Sequence, residues 1–157
     1  LWANPFGSGI KEGLAPCFGE APANEIDRFS VEDWEPFADL TGEVLDAIVA
    51  ARAGAPTVVR VTDLYVPVMT QWRDRGILEI CMAGMETMSD ALRMVAAEHG
   101  ATFVSSLDVY NGPEHQTDPV EAGFIRGDGL HPSAAGGQAM AEALAAVGFE
   151  PSPAPTS

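Results

Sequence analysis

Apolar residues recur along this chain at two periods, and the changes of period divide it into elements. Phe37, Leu40, Val44, Leu45, Ile48 and Val49 follow one another at three- and four-residue intervals, the spacing of one helix face, so an amphipathic helix is predicted over about 30–52. Ser30 and Asp33 stand at the separation of a capping box, and Gly54 ends the helix. The β-branched run Thr57-Val58-Val59-Arg60-Val61-Thr62 predicts a largely buried strand. It delivers the chain to Asp63-Leu64-Tyr65-Val66-Pro67, a loop at the strand's C-terminal end. The segment 69–80, with Trp72, Arg73, Asp74 and Arg75, reads as a mobile, partly exposed insertion. Met85, Met88, Leu92, Val95 and Ala96 return to helical spacing over about 84–99, with the methionines as core. A second strand is predicted over 101–107, and a long polar loop over 108–126. An alanine-rich helix over 133–147 closes the pattern, where Gly136 and Gly137 let the backbone approach a neighbour closely.

Alternating helices and strands imply right-handed crossovers and a parallel sheet, the α/β class. At the start, Leu1-Trp2 reads as the end of a strand and Asn4-Pro5 as a turn, followed by a loop over 7–27 rich in Gly, Pro and Asn. No repeat and no second domain is visible. The expectation is one domain over 1–149 and a disordered Pro- and Ser-rich tail over 150–157.

Composition narrows the partners. The 157 residues carry 23 acidic and 8 basic side chains, a formal charge of −15, which argues against nucleic acid or an anionic membrane surface as partner. No apolar run is long enough to span a bilayer, so no transmembrane segment is expected. Cys17 and Cys81 fit neither a zinc-ligand spacing nor a C-x-x-C motif. On the residues alone they are one long-range bridge or two buried thiols. His99, His115 and His131 lie on separate elements without metal-ligand spacing, so no metal site is expected.

The candidate chemistry lies in Gly127-Asp128-Gly129-Leu130-His131-Pro132-Ser133. An acid and an imidazole three residues apart on a tight turn bring their Cβ atoms to roughly 5–6 Å, within reach of a carboxylate–imidazole hydrogen bond. Such a pair orients a base that takes the proton of a serine nucleophile. The run Asp-Gly-Leu-His-Pro-Ser-Ala-Ala-Gly-Gly, with Met140, Leu144 and Val147 following at helical spacing, resembles the last block of the SGNH hydrolases, the GDSL-type esterases and lipases. The resemblance implies a flavodoxin-like three-layer fold, a parallel sheet flanked by helices, with Asp128 and His131 as the triad's acid and base. It further implies a carboxylic ester substrate, whether lipid, short-chain or acylated sugar, and no cofactor. If the family's G-x-N-D block falls at the chain start, Asn4 donates into the oxyanion hole, although Trp2 stands where the family has Gly and Pro5 where it has Asp. Resemblance to secreted members also favours a Cys17–Cys81 bridge and an extracellular location.

The departure from the family is the nucleophile. No serine follows Gly-Asp, and Ser8, between Gly7 and Gly9, lies too near Asn4 in sequence to replace a residue the family takes from another strand. The expectation is therefore a C-terminal portion of such an enzyme, lacking its N-terminal strands and inactive alone. It would self-associate or need an N-terminal complementing segment. The alternative is a non-catalytic ligand-binding or interaction module on the same scaffold, with Tyr65, Trp72 and Tyr110 as candidate contacts.

Overall fold

The computed structural model describes residues 32–151 together with Cys17, Asn24, Ile26, Phe29 and Ser30. Asn4, Ser8 and the tail residues 152–157 lie outside the described residues. A 3-10 turn, Glu32–Trp34, runs into helix α1, Glu35–Arg52. Then come β1 (Arg60–Thr62), α2 (Met69–Asp74), α3 (Leu78–Glu98), β2 (Thr102–Val104), α4 (Ser106–Asn111) and α5 (Ala134–Ala146). The chain is thus mixed α/β. Its strands pair in parallel, with Arg60 opposite Thr102, Val61 opposite Phe103 and Thr62 opposite Val104.

Helix α3 is the hub. It packs against α1, α2 and both strands, and its buried row includes Met85, Met88, Leu92, Val95 and Ala96. It starts at Leu78, six residues before the sequence pattern placed it. Cys81 in its first turns is bonded to Cys17, 64 residues away. Closing a loop of that length restricts the unfolded chain by about 4 kcal/mol in the chain-entropy view.

Several expectations are corrected by the packing. The segment 69–80 is partly exposed as expected, with Thr70, Gln71, Arg73 and Asp74 on the surface, but it is helical and anchored in the core rather than a mobile insertion: Met69, Trp72 and Ile77 are almost wholly buried, and Trp72 Nε1 donates to the Cys17 carbonyl at 2.8 Å. Trp72 is therefore an anchor, not an exposed ligand contact. The strands are shorter and less covered than predicted, and only Val104 among their residues is buried. Among the described residues α3 is the one helix that packs extensively on them. The region after β2 turns at Ser105 into α4, because the Ser105 hydroxyl accepts from Asp108 N at 2.9 Å and caps a helix there.

Helix α1 departs in a different way. Phe37 and Leu45 are buried, but Leu40, Val44, Ile48 and Val49 are 36–40% exposed, so four of the six residues of the predicted apolar face are uncovered. At its start Asp33 Oδ2 accepts from both the Ser30 amide, at 2.7 Å, and the Ser30 hydroxyl, at 3.0 Å. The serine hydroxyl is thereby occupied as a donor to Asp33, and the α-helix begins later, with Pro36 in its first turn.

The close approach predicted for α5 falls on one of its two glycines. A Cβ on Gly136 would land on the Phe124 carbonyl oxygen and lie 2.8 Å from the Tyr110 ring. A Cβ on Gly137 would meet nothing within 4 Å. Adjacent substitutions should therefore have opposite signs in equilibrium unfolding. Gly137→Ala should gain roughly 0.5–1 kcal/mol from helix propensity. Gly136→Ala should lose about 1–2 kcal/mol, because a backbone oxygen has little freedom to yield.

Candidate active site

The site is built on the loops that follow β1 and β2, at the C-terminal edge of the sheet. Both loops open on polar residues, Asp63 and Ser105, one step past the Thr62–Val104 pair. Asp63 is only 3% exposed. Its Oδ1 accepts from Ser106 N at 2.5 Å and Leu107 N at 3.0 Å. Its Oδ2 accepts from Ser89 Oγ on α3 at 2.6 Å and from Ser105 Oγ at 2.9 Å. A buried carboxylate is tolerated when donors surround it in this way, and here it ties β1, α3 and the start of α4 together.

Asn111, fully buried at the end of α4, continues the same edge. Its Oδ1 accepts from Val66 N and its Nδ2 donates to Val66 O, both at 2.9 Å. The β1 loop is thereby held against α4. Asp118 next anchors the descending chain, accepting from Thr70 Oγ1 at 2.7 Å and from Val120 N at 2.9 Å.

The chain then enters the turn that carries Asp128 and His131. Ile125 and Pro132 form an antiparallel bridge, Arg126 N donates to His131 O at 2.9 Å, and Gly129 supplies the left-handed residue at φ +71°. Ser133 caps α5 through its hydroxyl, which accepts from Gly136 N and donates to Gly123 O. Within the turn, Asp128 Oδ1 accepts the amides of Leu130 and His131, each at 2.9 Å. Its Oδ2 faces His131 Nδ1 at 3.1 Å and Arg126 Nη2 at 3.4 Å. The backbone amides of His131 and Leu130, helped by the His131 ring and Arg126, hold the Asp128 carboxyl down to about 2. Asp128 is therefore ionised throughout the neutral range.

With Nδ1 turned to Asp128, the opposite ring nitrogen of His131 makes no hydrogen bond to any described residue. The side chains are 60% and 43% exposed for His131 and Asp128, so the Nε2 edge is open. This is the arrangement of an oriented base. Asn4, the candidate oxyanion donor, and Ser8 lie outside the described residues.

Two side chains matter here in ways the sequence did not indicate. Arg126 pairs with Asp128, which follows from the turn folding back on itself. Tyr65, read as a candidate ligand contact, donates its hydroxyl to the Leu130 carbonyl at 2.6 Å. Its ring stacks on Tyr110 with centroids 4.3 Å apart. Tyr110 is 2% exposed, which also removes it from the surface contacts.

Away from the dyad, a groove of about 440 Å³ runs between α1 and α3, lined by Glu35, Asp39, Glu43, Asp46, Glu98 and His99 among others. Among the described residues no three His, Cys, Asp or Glu side chains are grouped so as to hold a metal ion. No helix of the described residues is long and apolar enough to cross a membrane.

His115 is the other imidazole under strong local influence. Its Nδ1 lies 2.7 Å from Glu86 Oε1 on α3 and its Nε2 lies 2.9 Å from Asp108 Oδ1 on α4. A neutral ring can donate to only one of them. Burial opposes the charge, but the two carboxylates outweigh it and raise the His115 pKa above its ordinary value of 6.5. A raised folded value means that the stabilisation is complete below about 6.5 and is lost as pH rises through the folded value. Thermal unfolding should accordingly show stability falling as pH rises above about 6.5 through the raised folded value. Solvent screening keeps that loss to about 1 kcal/mol or less, and it should be absent in His115→Gln.

No family model matches this chain, and neither a curated protein nor a solved structure matches it.

Proposed function

We propose that this chain carries the acid and base of a serine-type carboxylic ester hydrolase of the SGNH kind. The observation that carries the reading is the turn itself. An ionised Asp128 is bonded to His131 Nδ1, the Nε2 edge is open, and the pair sits at the C-terminal edge of a parallel sheet, where open α/β sheets present their ligands.

In this reading the two strands and α3 are one portion of a flavodoxin-like three-layer sheet. The nucleophilic serine comes from a segment outside these 157 residues that carries a G-D-S block and joins the sheet. His131 Nε2 takes the serine proton as the hydroxyl attacks the ester carbonyl, then returns it to the leaving alkoxide. Asp128 holds the ring in the Nδ1–H tautomer and stabilises the imidazolium. Asn4 and backbone amides stabilise the oxyanion, and water releases the acid by the same proton transfers in reverse order. Substrates are carboxylic esters, of lipids, short-chain acids or acylated sugars. The Cys17–Cys81 bond supports an oxidising, extracellular setting.

The exposed row Leu40, Val44 and Ile48 on α1 and the two-strand sheet of the described residues support a further structural neighbour. They are the surfaces that further elements of such a fold would cover.

The test is hydrolysis of a short-chain chromogenic ester by this chain alone and by the longer polypeptide that includes a G-D-S block. The longer protein should turn the ester over, with His131→Ala lowering kcat by about 10²–10⁴-fold, while the chain alone should not. Turnover by the chain alone that survives His131→Ala would contradict the reading.

A further inference from the structure

We propose that Tyr65 is a positioning residue for the Asp128–His131 pair, acting through the single peptide group that joins Leu130 to His131. The carbonyl of that group accepts the Tyr65 hydroxyl at 2.6 Å. Its amide, belonging to His131, donates to Asp128 Oδ1 at 2.9 Å. The two bonds grip opposite ends of one planar unit, whose oxygen and hydrogen point in opposite directions. A hydrogen bond to the oxygen polarises the amide and strengthens its donation. Tyr65 therefore fixes the plane from which the His131 side chain departs and also the acceptor oxygen of its acid partner.

The phenol is itself held. The Tyr65 ring stacks on Tyr110 at 4.3 Å and 29°. The Tyr110 hydroxyl donates to Gly136 O of α5 at 3.0 Å, and Phe124 meets Tyr110 edge-on at 6.1 Å and 88°. Tyr65 belongs to the loop after β1, whereas Leu130 belongs to the turn before α5. The contact thus couples the sheet edge to the dyad across 65 residues of sequence. Burial, reinforced by Tyr110 and Asp128, pushes the Tyr65 hydroxyl above its ordinary value of 10, so it is a donor throughout the working range.

Only the kinetic half of the test rests on the ester-hydrolase reading. The structural half is amide hydrogen exchange of His131 in the full chain, comparing wild type with Tyr65→Phe, which keeps the ring stack and removes one oxygen. The His131 and Leu130 amides should exchange roughly 3–10-fold faster in Tyr65→Phe, with amides of α3 such as Met88 unchanged. Tyr110→Phe, which leaves the Tyr65 hydroxyl in place, should change them less. Unaltered exchange at His131, or acceleration spread equally over α3, would overturn the proposal.

A measurement on the wild type stands independent of any variant. Nuclear Overhauser contacts should join the Tyr65 ring Hε protons to the Leu130 and His131 backbone, and their absence would overturn the proposal as well. In an ester-hydrolysing longer protein, Tyr65→Phe should lower kcat with KM unchanged, since it acts on the base and not on substrate binding. A rise in KM with kcat unchanged would contradict positioning. If no protein containing the chain hydrolyses esters, the exchange and contact measurements still decide the role of Tyr65, and the failure belongs to the hydrolase reading alone.

Discussion

A carboxylate buried at the end of a strand must be surrounded by donors or lose its charge. Asp63 meets that demand with two serine hydroxyls, a third from Ser106, and the first two amides of α4. Because those donors come from α3, from the residue after β2 and from α4, satisfying one side chain fixes where three elements meet. Asn111 and Tyr65 then extend the fixed edge outward, one holding the β1 loop to α4 and the other reaching the Leu130 carbonyl. Removing Asp63 would leave Ser89, Ser105 and Ser106 facing one another in the interior. The dyad turn, though exposed, is therefore mounted on a rigid frame.

The rest of the structure is uneven in a manner consistent with that frame. Around α3 the packing is dense, with Trp34, Trp72, Met69, Met85 and Met88 all nearly inaccessible, and the Cys17–Cys81 bond pins a distant segment to the same helix. On α1 and on the strands, cover is incomplete. A helix whose Leu40, Val44 and Ile48 line up at four-residue spacing and are 36–39% exposed carries a second apolar row for which the described residues provide no partner.

How far the sequence foretold this depended on whether an interaction was local. Asp128 and His131 were visible together because three residues on a Gly- and Pro-bounded turn constrain them without help from elsewhere. Gly136 was visible as a small residue in an alanine helix. The α4 helix was also signalled, by Ser105 with Asp108 three residues later, a capping signature that the apolar start of β2 masked. The α2 segment was misread because Met69 and Trp72 are its only buried anchors and polar Gln71, Arg73 and Asp74 surround the second of them. The contacts of Asp63 with Ser106 and of Tyr65 with Leu130 could not be found this way. They depend on the parallel register that sets Asp63 beside Ser105, which is known only once the strands are paired.

The account rests on His131 being held by Asp128 in one tautomer, with the proton on Nδ1 and a lone pair on Nε2. The most direct test is 15N NMR of the His131 ring in the folded chain, at a pH where the imidazole is neutral. The account predicts a protonated Nδ1 and an unprotonated Nε2, with that preference lost in Asp128→Asn. A ring that carries its proton on Nε2, or that divides it evenly between the two nitrogens with Asp128 intact, would contradict it.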